Sequence, residues 1–337
     1  MTSWRLAGAL GSILLLVVMA GANGLGIVSQ APRPQREPNS ITPSVPTATQ
    51  PAGIVARHAT YAEVAKDSSV ILYEDFEGAE LDKRKWPSIS NTAGALTLTQ
   101  DPNNVHGGKS ALQITASLGK NTGGHLFRRF DKGYEQVYAR FCVKFARDCD
   151  YIHHFVHMAA ELPAVPWPTG GAGECPDGNK KFTIGIEPWG RWGKYPPPGG
   201  WHFYCYWWKM KKSPDGKYWG NDFALAAYAV PEREKWTCVE FMTKCNTPGR
   251  EDGEVALWLD GSAIAHHKGI NWRSDGNLRL NAFWLMLYVT ENSTKNKVNT
   301  VWFDDVVVAS EYIGPPRGAR ASAPASQPAR EEKPSAR

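Results

Sequence analysis

An all-β fold, a sandwich or jelly roll of two large antiparallel sheets, is what this 337-residue sequence predicts. Three observations carry the expectation. Apolar and polar residues alternate with period two through the second half of the chain, turn-forming dipeptides separate those runs, and no stretch of the body shows a capped helical period. The composition agrees: 42% hydrophobic and 21% charged residues describe a folded protein, and Gly 32 with Pro 24 supplies many turns. A coiled coil, an α-solenoid and a multi-span membrane protein are excluded on the same grounds.

In chain order, Arg5 is followed by an apolar run from Leu6 to Ala22 that ends in the small residues Ala20-Gly21-Ala22. A charge, a greasy run and an A-x-A pattern predict a signal peptide over 1–22, with an uncleaved N-terminal anchor as the alternative. Residues 23–60 read as a Pro-rich linker, because a segment with so little apolar surface cannot repay its ordering entropy. The alternating runs are Val137–Phe145, Phe182–Ile186, His202–Trp208, Trp236–Lys244, Glu254–Leu259, Leu278–Val289 and Val301–Val308. Between them stand Pro214-Asp215-Gly216, Pro248-Gly249, Asp252-Gly253 and Asp260-Gly261, all turn sequences. One folded domain is expected over 61–314, followed by a disordered basic tail over 315–337.

The formal charge of +5 suggests nucleic acid until it is located. Residues 1–30 carry +1, residues 31–53 carry +1 and residues 315–337 carry +3, which leaves 54–314 neutral. A neutral body cannot neutralise many phosphates, so no nucleic-acid partner is expected. A membrane enters only through an uncleaved N-terminal segment.

Six cysteines in an exported chain permit three disulfides and fifteen connectivities. Cys149 and Cys175 lie in loop-like sequence and are the expected bridge, whereas Cys142, Cys205 and Cys238 lie in strand-like runs and read as buried thiols. No C-x-x-C is present, which argues against a zinc finger. His153, His154 and His157 form an H-H-x-x-H whose alternation puts His154 on the face opposite the other two, a poor metal arrangement. His266 and His267 follow a hairpin turn and are expected in solvent.

The run 235–269 (KWTCVEFMTKCNTPGREDGEVALWLDGSAIAHHKG) resembles the back-sheet hairpin of concanavalin A-like jelly rolls, the lectin/glucanase fold. It has a W-x-x-x-E strand, an Asn-containing loop and a G-x-x-x-x-W-x-D-G strand-turn. VWFDDVVVASEYIGP (301–315) is similar to their closing strand and LYEDFEG (72–78) to their opening one. The stretch 123–150 resembles the polysaccharide lyases of this fold, the family 14 type that cleaves alginate and glucuronan. The resemblance spans about residues 70–314 and implies a saccharide held on the concave sheet.

It also implies site residues. Those lyases use a Lys or His near a K-L-P-G stretch, a Ser-x-Arg on the next strand and a Tyr-x-Tyr on the following one. Tyr204-Cys205-Tyr206 matches the last element, and His157, upstream of Leu162-Pro163, stands near the first. Thr183-Ile184-Gly185 occupies the Ser-x-Arg place, so the arginine is missing; Arg191, Lys194 and Arg140 are the candidate substitutes. By alternation His202, Tyr204, Tyr206 and Trp208 share one face, beside Thr183, Gly185 and Glu187 if the two strands pair, while Phe182, Ile184 and Ile186 face the core.

These residues define the expected chemistry. Uronate lyases eliminate across C4–C5, with a base for the C5 proton, an acid for the leaving oxygen and a donor that neutralises the carboxylate. Tyr204 and Tyr206 are the base/acid candidates and His157 an auxiliary. Glu187, Trp189, Arg191, Trp192, His202 and Trp208 are the candidate substrate-binding residues, with the Trp-rich loop 189–201 as a glycan platform. Trp207, Trp236, Trp258 and Trp302 read as core. A retaining hydrolase is disfavoured because Glu187 has no acidic partner on its strand. The chemistry requires no cofactor, but Asp75 and Asp304, on neighbouring opening and closing strands, are candidate ligands of a structural Ca²⁺. The function expected is an exported lyase-like protein acting on an acidic polysaccharide, secreted or in the periplasm or cell envelope. The alternative is a non-catalytic glycan-binding or structural envelope protein.

Overall fold

Fifteen strands carry the described chain, a computed structural model covering residues 52–165, 171–223, 225 and 229–317. They are β1 Val70–Glu74, β2 Ser88–Ser90, β3 Leu96–Thr99, β4 Ala111–Ser117, β5 Gly123–Tyr134, β6 Gln136–Phe145, β7 Val156–Glu161 and β8 Lys181–Trp189. There follow β9 Gly200–Tyr206, β10 Asn221–Phe223, β11 Thr237–Lys244, β12 Gly253–Leu259, β13 Ser262–Ile270, β14 Leu280–Tyr288 and β15 Val298–Ala309. Each alternating run named above falls mainly on one of these strands, with Trp207 and Trp208 running past the end of β9. The expected signal segment, residues 23–51 of the linker and the tail from residue 318 lie outside the described residues.

The strands form two antiparallel sheets, the jelly-roll sandwich expected. The first runs β13-β12-β11-β6-β15-β4-β3, with β1 also paired to β15, and the second runs β10-β9-β8-β7-β14-β5-β2. Alternation places Phe182, Ile184, Ile186, Phe203, Phe283, Leu285 and Leu287 of the second sheet inward, against Phe141, Val143, Val239, Phe241, Leu257 and Phe303 of the first. Phe155 sits centrally, 5.0 Å from the Phe303 ring and 5.7 Å from Phe145. Each such buried side chain contributes roughly 1.5–3 kcal/mol. Asp260-Gly261 closes the β12–β13 hairpin with φ of 48° and 80°, the positive pair that a two-residue turn between right-twisted strands demands.

Several expectations change. The disulfide joins Cys142 to Cys238, while Cys149 is a buried and Cys175 an exposed free thiol. The reason is register: Cys142 on β6 lies directly opposite Cys238 on β11. His267 is fully buried between Phe203 and Phe223, and His266 Nε2 lies 2.5 Å from Glu254 Oε2, because the hairpin continues as a long β13 instead of ending in solvent. Trp201 is fully buried, as are Trp86 and Trp272, whereas Trp236 and Trp302 are only partly covered. Trp207 and Trp258 are buried as expected.

The folded body also starts before residue 60. Ile54 and Val55, in a short helix α1 (Ile54–Arg57), pack with Val307, Ala309 and Ile313 on the outer side of the first sheet. Glu240 fastens this layer. Its carboxylate accepts the Ile313 and Gly314 N–H groups at 2.8 and 3.0 Å, and Arg140, opposite it across β6–β11, donates to the Gly314 carbonyl at 2.8 Å. Arg140 is thus committed to the sheet away from the tyrosine pair and cannot replace the missing arginine.

Burial pushes Glu240 up to about 7, against the pull of Arg140 and the two N–H groups. A carboxyl raised above its unfolded value contributes stability below that value and loses it as pH rises through the folded value. Glutamine does not titrate. The Tm of Glu240→Gln minus that of the wild type should therefore rise between about pH 5 and about pH 8. A flat or falling difference in thermal melts would refute this account of the strap.

Candidate active site

The outward-facing residues of the second sheet are aligned in rows by strand pairing. Trp284 of β14 faces His157 of β7, His157 faces Gly185 of β8, Gly185 faces Tyr204 of β9, and Tyr204 faces Asp222 of β10. The adjacent rows set Glu187 against His202 and Thr183 against Tyr206. β8 and β9 do pair, and the expected shared face exists.

Two glycines make the rows close. A Cβ on Gly185 would lie 2.7 Å from His157 Nε2 and 3.2 Å from the Tyr204 carbonyl oxygen, so the His157 ring occupies the space a side chain would take. On its other side that ring stacks on Trp284, 5.1 Å between centroids and 8° between planes. A Cβ on Gly220 would meet the Tyr204 ring at 2.4 Å, and the Gly220 N–H donates to the Tyr204 hydroxyl oxygen at 3.0 Å. The Tyr204 and Tyr206 hydroxyls lie 3.3 Å apart. Tyr204 and Tyr206 are therefore linked through their hydroxyls, both partly exposed at the surface of the sheet.

Beside it runs a chain of alternating acids and imidazoles. Asp222 Oδ1 is 2.7 Å from His202 Nδ1, His202 Nε2 is 3.6 Å from Glu187 Oε1, and Glu187 Oε2 is 3.2 Å from His154 Nδ1. The 3.6 Å contact is an ion pair and too long for a hydrogen bond. His202, Glu187 and His157 are all buried, at 2%, 5% and 7% exposure, so their charge states follow from their partners. Burial opposes the Glu187 anion, but His154 and His202 outweigh it and hold the carboxyl well below the usual range. Burial likewise opposes charge on His202, yet Asp222 and Glu187 lift it to about 9. Burial alone dominates at His157 and lowers it to about 4. Near neutrality the face holds a Glu187 carboxylate, a His202 imidazolium and a neutral His157.

His154 and Asp222 were not among the expected site residues. The chain bends at His153 before β7 begins at Val156, so alternation counted back from His157 fails. Both His153 and His154 donate their backbone N–H to the Tyr288 carbonyl, which leaves His153 exposed and brings His154 beside His157 and Glu187. Asp222 sits on a three-residue strand, too short to show any period.

Trp189, at the end of β8, stacks on His202 at 5.0 Å and meets Trp192 edge-on at 4.9 Å. Trp192 is 49% exposed, a large apolar surface rare among the described residues. Arg191 and Trp192 both hold positive φ at the turn after β8, and Lys194 lies over the Tyr195 ring. Trp208 lies beyond the end of β9, packed on Gly178 with Lys209 over its ring, so it does not continue the face of Tyr206. Arg129 of β5 lies in the Tyr206 row but four strands away, about 19 Å at ordinary strand spacing, and Glu161 and Asn281 engage it.

Two groups have metal-ligand composition among the described residues. His154, His157 and Glu187 each offer an atom, all within 4.8 Å of one another; the other group, His106 with Cys142 and Cys238, has both sulfurs in the disulfide. The expected calcium ligands behave differently. Asp304 accepts three backbone N–H groups, from His106, Gly107 and Asp305 at 2.9–3.0 Å, and burial pushes it up to about 7. Asp75 accepts the Glu77 N–H at 3.4 Å. Asp304 therefore serves to fasten the 106–107 turn to β15.

This jelly-roll architecture is shared with solved alginate lyases. Among solved structures, the chain resembles the PL-14 alginate lyase from Aplysia kurodai at a TM-score of 0.56 with 11% identity, over 72% of this chain and 100% of that one. It resembles an alginate lyase from Chlorella virus at 0.54 with 17% identity, over 72% and 99%. No protein-family model matches the chain, and no curated protein is similar to it in sequence.

Gly185 tests how tightly the row is packed. Gly185→Ala should lower stability by about 1–3 kcal/mol, because the ring it displaces is pinned by Trp284. Urea unfolding reads the effect, and an unchanged midpoint would mean the His157 ring is free to move.

Proposed function

We propose that this protein is an exported polysaccharide lyase that cleaves a uronate-containing glycan by β-elimination. The observation that carries the reading is the Tyr204–Tyr206 hydroxyl pair, with His157 in the same row, on the outer face of a fold shared with two alginate lyases. Tyr204 as phenolate takes the C5 proton, the C4–O4 bond breaks as the C4=C5 double bond forms, and the proton returns from the phenol to O4. The enzyme ends as it began. The Gly220 N–H favours the phenolate by donating to its oxygen. Trp189 and Trp192 take a neighbouring sugar ring by stacking, and Glu187 and His202 hold the wall against which it rests.

A second reading has its own support. No arginine stands in the Gly185 position, and Glu187 brings negative charge to the face, which suits a glycan-binding module without elimination. The two separate experimentally. A lyase acting on uronate polymers, alginate included, produces a C4=C5 unsaturated end that absorbs in the ultraviolet. Tyr204→Phe should lower that rate by about 10²–10⁴-fold while glycan binding persists. Binding with no unsaturated product from any uronate polymer would favour the binding module. Under either reading Trp192→Ala should weaken glycan binding by about 2–10-fold in calorimetric titration; unchanged affinity would remove the platform.

A further inference from the structure

His154, His157 and Glu187 have more order than two histidines near an acid require. His154 Nδ1 and Glu187 Oε2 stand 3.2 Å apart, and the third ligand atom lies within 4.8 Å of both. Ligand atoms around a tetrahedral ion with bonds of about 2.0–2.1 Å are about 3.3 Å apart. One edge of that figure is already present, and the other two need inward movement of roughly 1.5 Å at most. The His157 ring is buried between Trp284 and Gly185, and its Nδ1 has no hydrogen bond of good geometry. Glu187 has the outer support of a ligating carboxylate: its second oxygen faces His202, which Asp222 orients in turn.

We propose that His154, His157 and Glu187 bind one first-row divalent cation, with zinc the best match. Two imidazoles and a carboxylate suit zinc and its neighbours, whereas calcium takes an all-oxygen shell. Three protein ligands leave a coordination position open, as in catalytic zinc sites. The site adjoins the tyrosine pair: the His154 and Tyr204 rings are 5.5 Å apart, and His157 is separated from Tyr204 only by Gly185. The cation's role rests on the β-elimination reading. Bound beside Tyr204, it receives the uronate carboxylate at the open position and supplies the positive charge that the missing arginine does not. It acts as a Lewis acid, and no electron changes hands.

The test uses the untagged full chain, stripped with a chelator and titrated calorimetrically with Zn²⁺, with Co²⁺ as a spectroscopic probe. One equivalent should bind, and Co²⁺ should give visible bands whose intensity falls on adding Zn²⁺. His154→Ala and His157→Ala should each weaken binding by at least about 10-fold, and His202→Asn by about 10–100-fold through the outer support. Cys175→Ser, which removes the exposed thiol, should bind as the wild type does. The proposal is overturned if the wild type binds no zinc, if both histidine variants melt as folded proteins yet bind like the wild type, or if Cys175→Ser abolishes binding. Should either variant fail to fold, the wild-type Co²⁺ spectrum decides, and absence of bands overturns the site. The readouts separate the two readings. Zinc bound without unsaturated product sinks the lyase and leaves the site; product formed by a chain that binds no zinc does the reverse.

Discussion

One buried carboxylate organises the outer face of the second sheet. Glu187 lies at 5% exposure with an imidazole on each oxygen, and an ion so placed is tolerable only while its partners hold. That requirement propagates outward. His202 must stay protonated, so it needs Asp222; His154 must leave the strand alternation to reach the second oxygen, so the chain bends at His153 and both amides turn to Tyr288. The aromatic residues follow. Trp189 stacks on His202 and Trp284 on His157, so the two indoles flank the chain of charges.

Register makes this arrangement possible, and register also explains what could be read in advance. A period-two pattern names a strand and its two faces from local residues alone, so β6, β8, β9, β11, β12, β14 and β15 were legible, together with the core set Phe182, Ile184 and Ile186. The shared face of Glu187, Tyr204 and Tyr206 was legible conditionally, since it needed only that two consecutive strands pair. The Cys142–Cys238 bridge was not. It depends on the pairing of β6 with β11, ninety-six positions apart in sequence, and no local pattern encodes which strands become neighbours.

The misplaced residues lie where strands begin or end. Trp208 and His154 were assigned by extending alternation past the ends of β9 and β7, where the chain leaves the pleat. His267 failed in the opposite direction, because β13 runs on as a strand through a region expected to be solvated. Asp222 lies on a strand too short to carry a period. Trp201 was placed with the loop tryptophans, yet as the second residue of β9 it points into the core beside Phe145 and Phe155.

The charge arithmetic of the chain meets the site at one point. The folded body is neutral, so no broad positive field gathers an acidic polymer, and recognition must come from the groups at the face. Those groups are two carboxylates and one imidazolium in the Asp222–His202–Glu187 chain, with the neutral His157 beside them. Two carboxylates face one imidazolium there, and Glu187 also leans on His154, so the chain offers a uronate no excess positive charge. Arg140 belongs to the other sheet, and Arg129 is held four strands away by Glu161. On the β-elimination reading, a cation held where Glu187, His154 and His157 converge would supply positive charge beside the tyrosine pair. The Glu187 carboxylate that works against an unassisted lyase is what makes the point of convergence attractive to a cation.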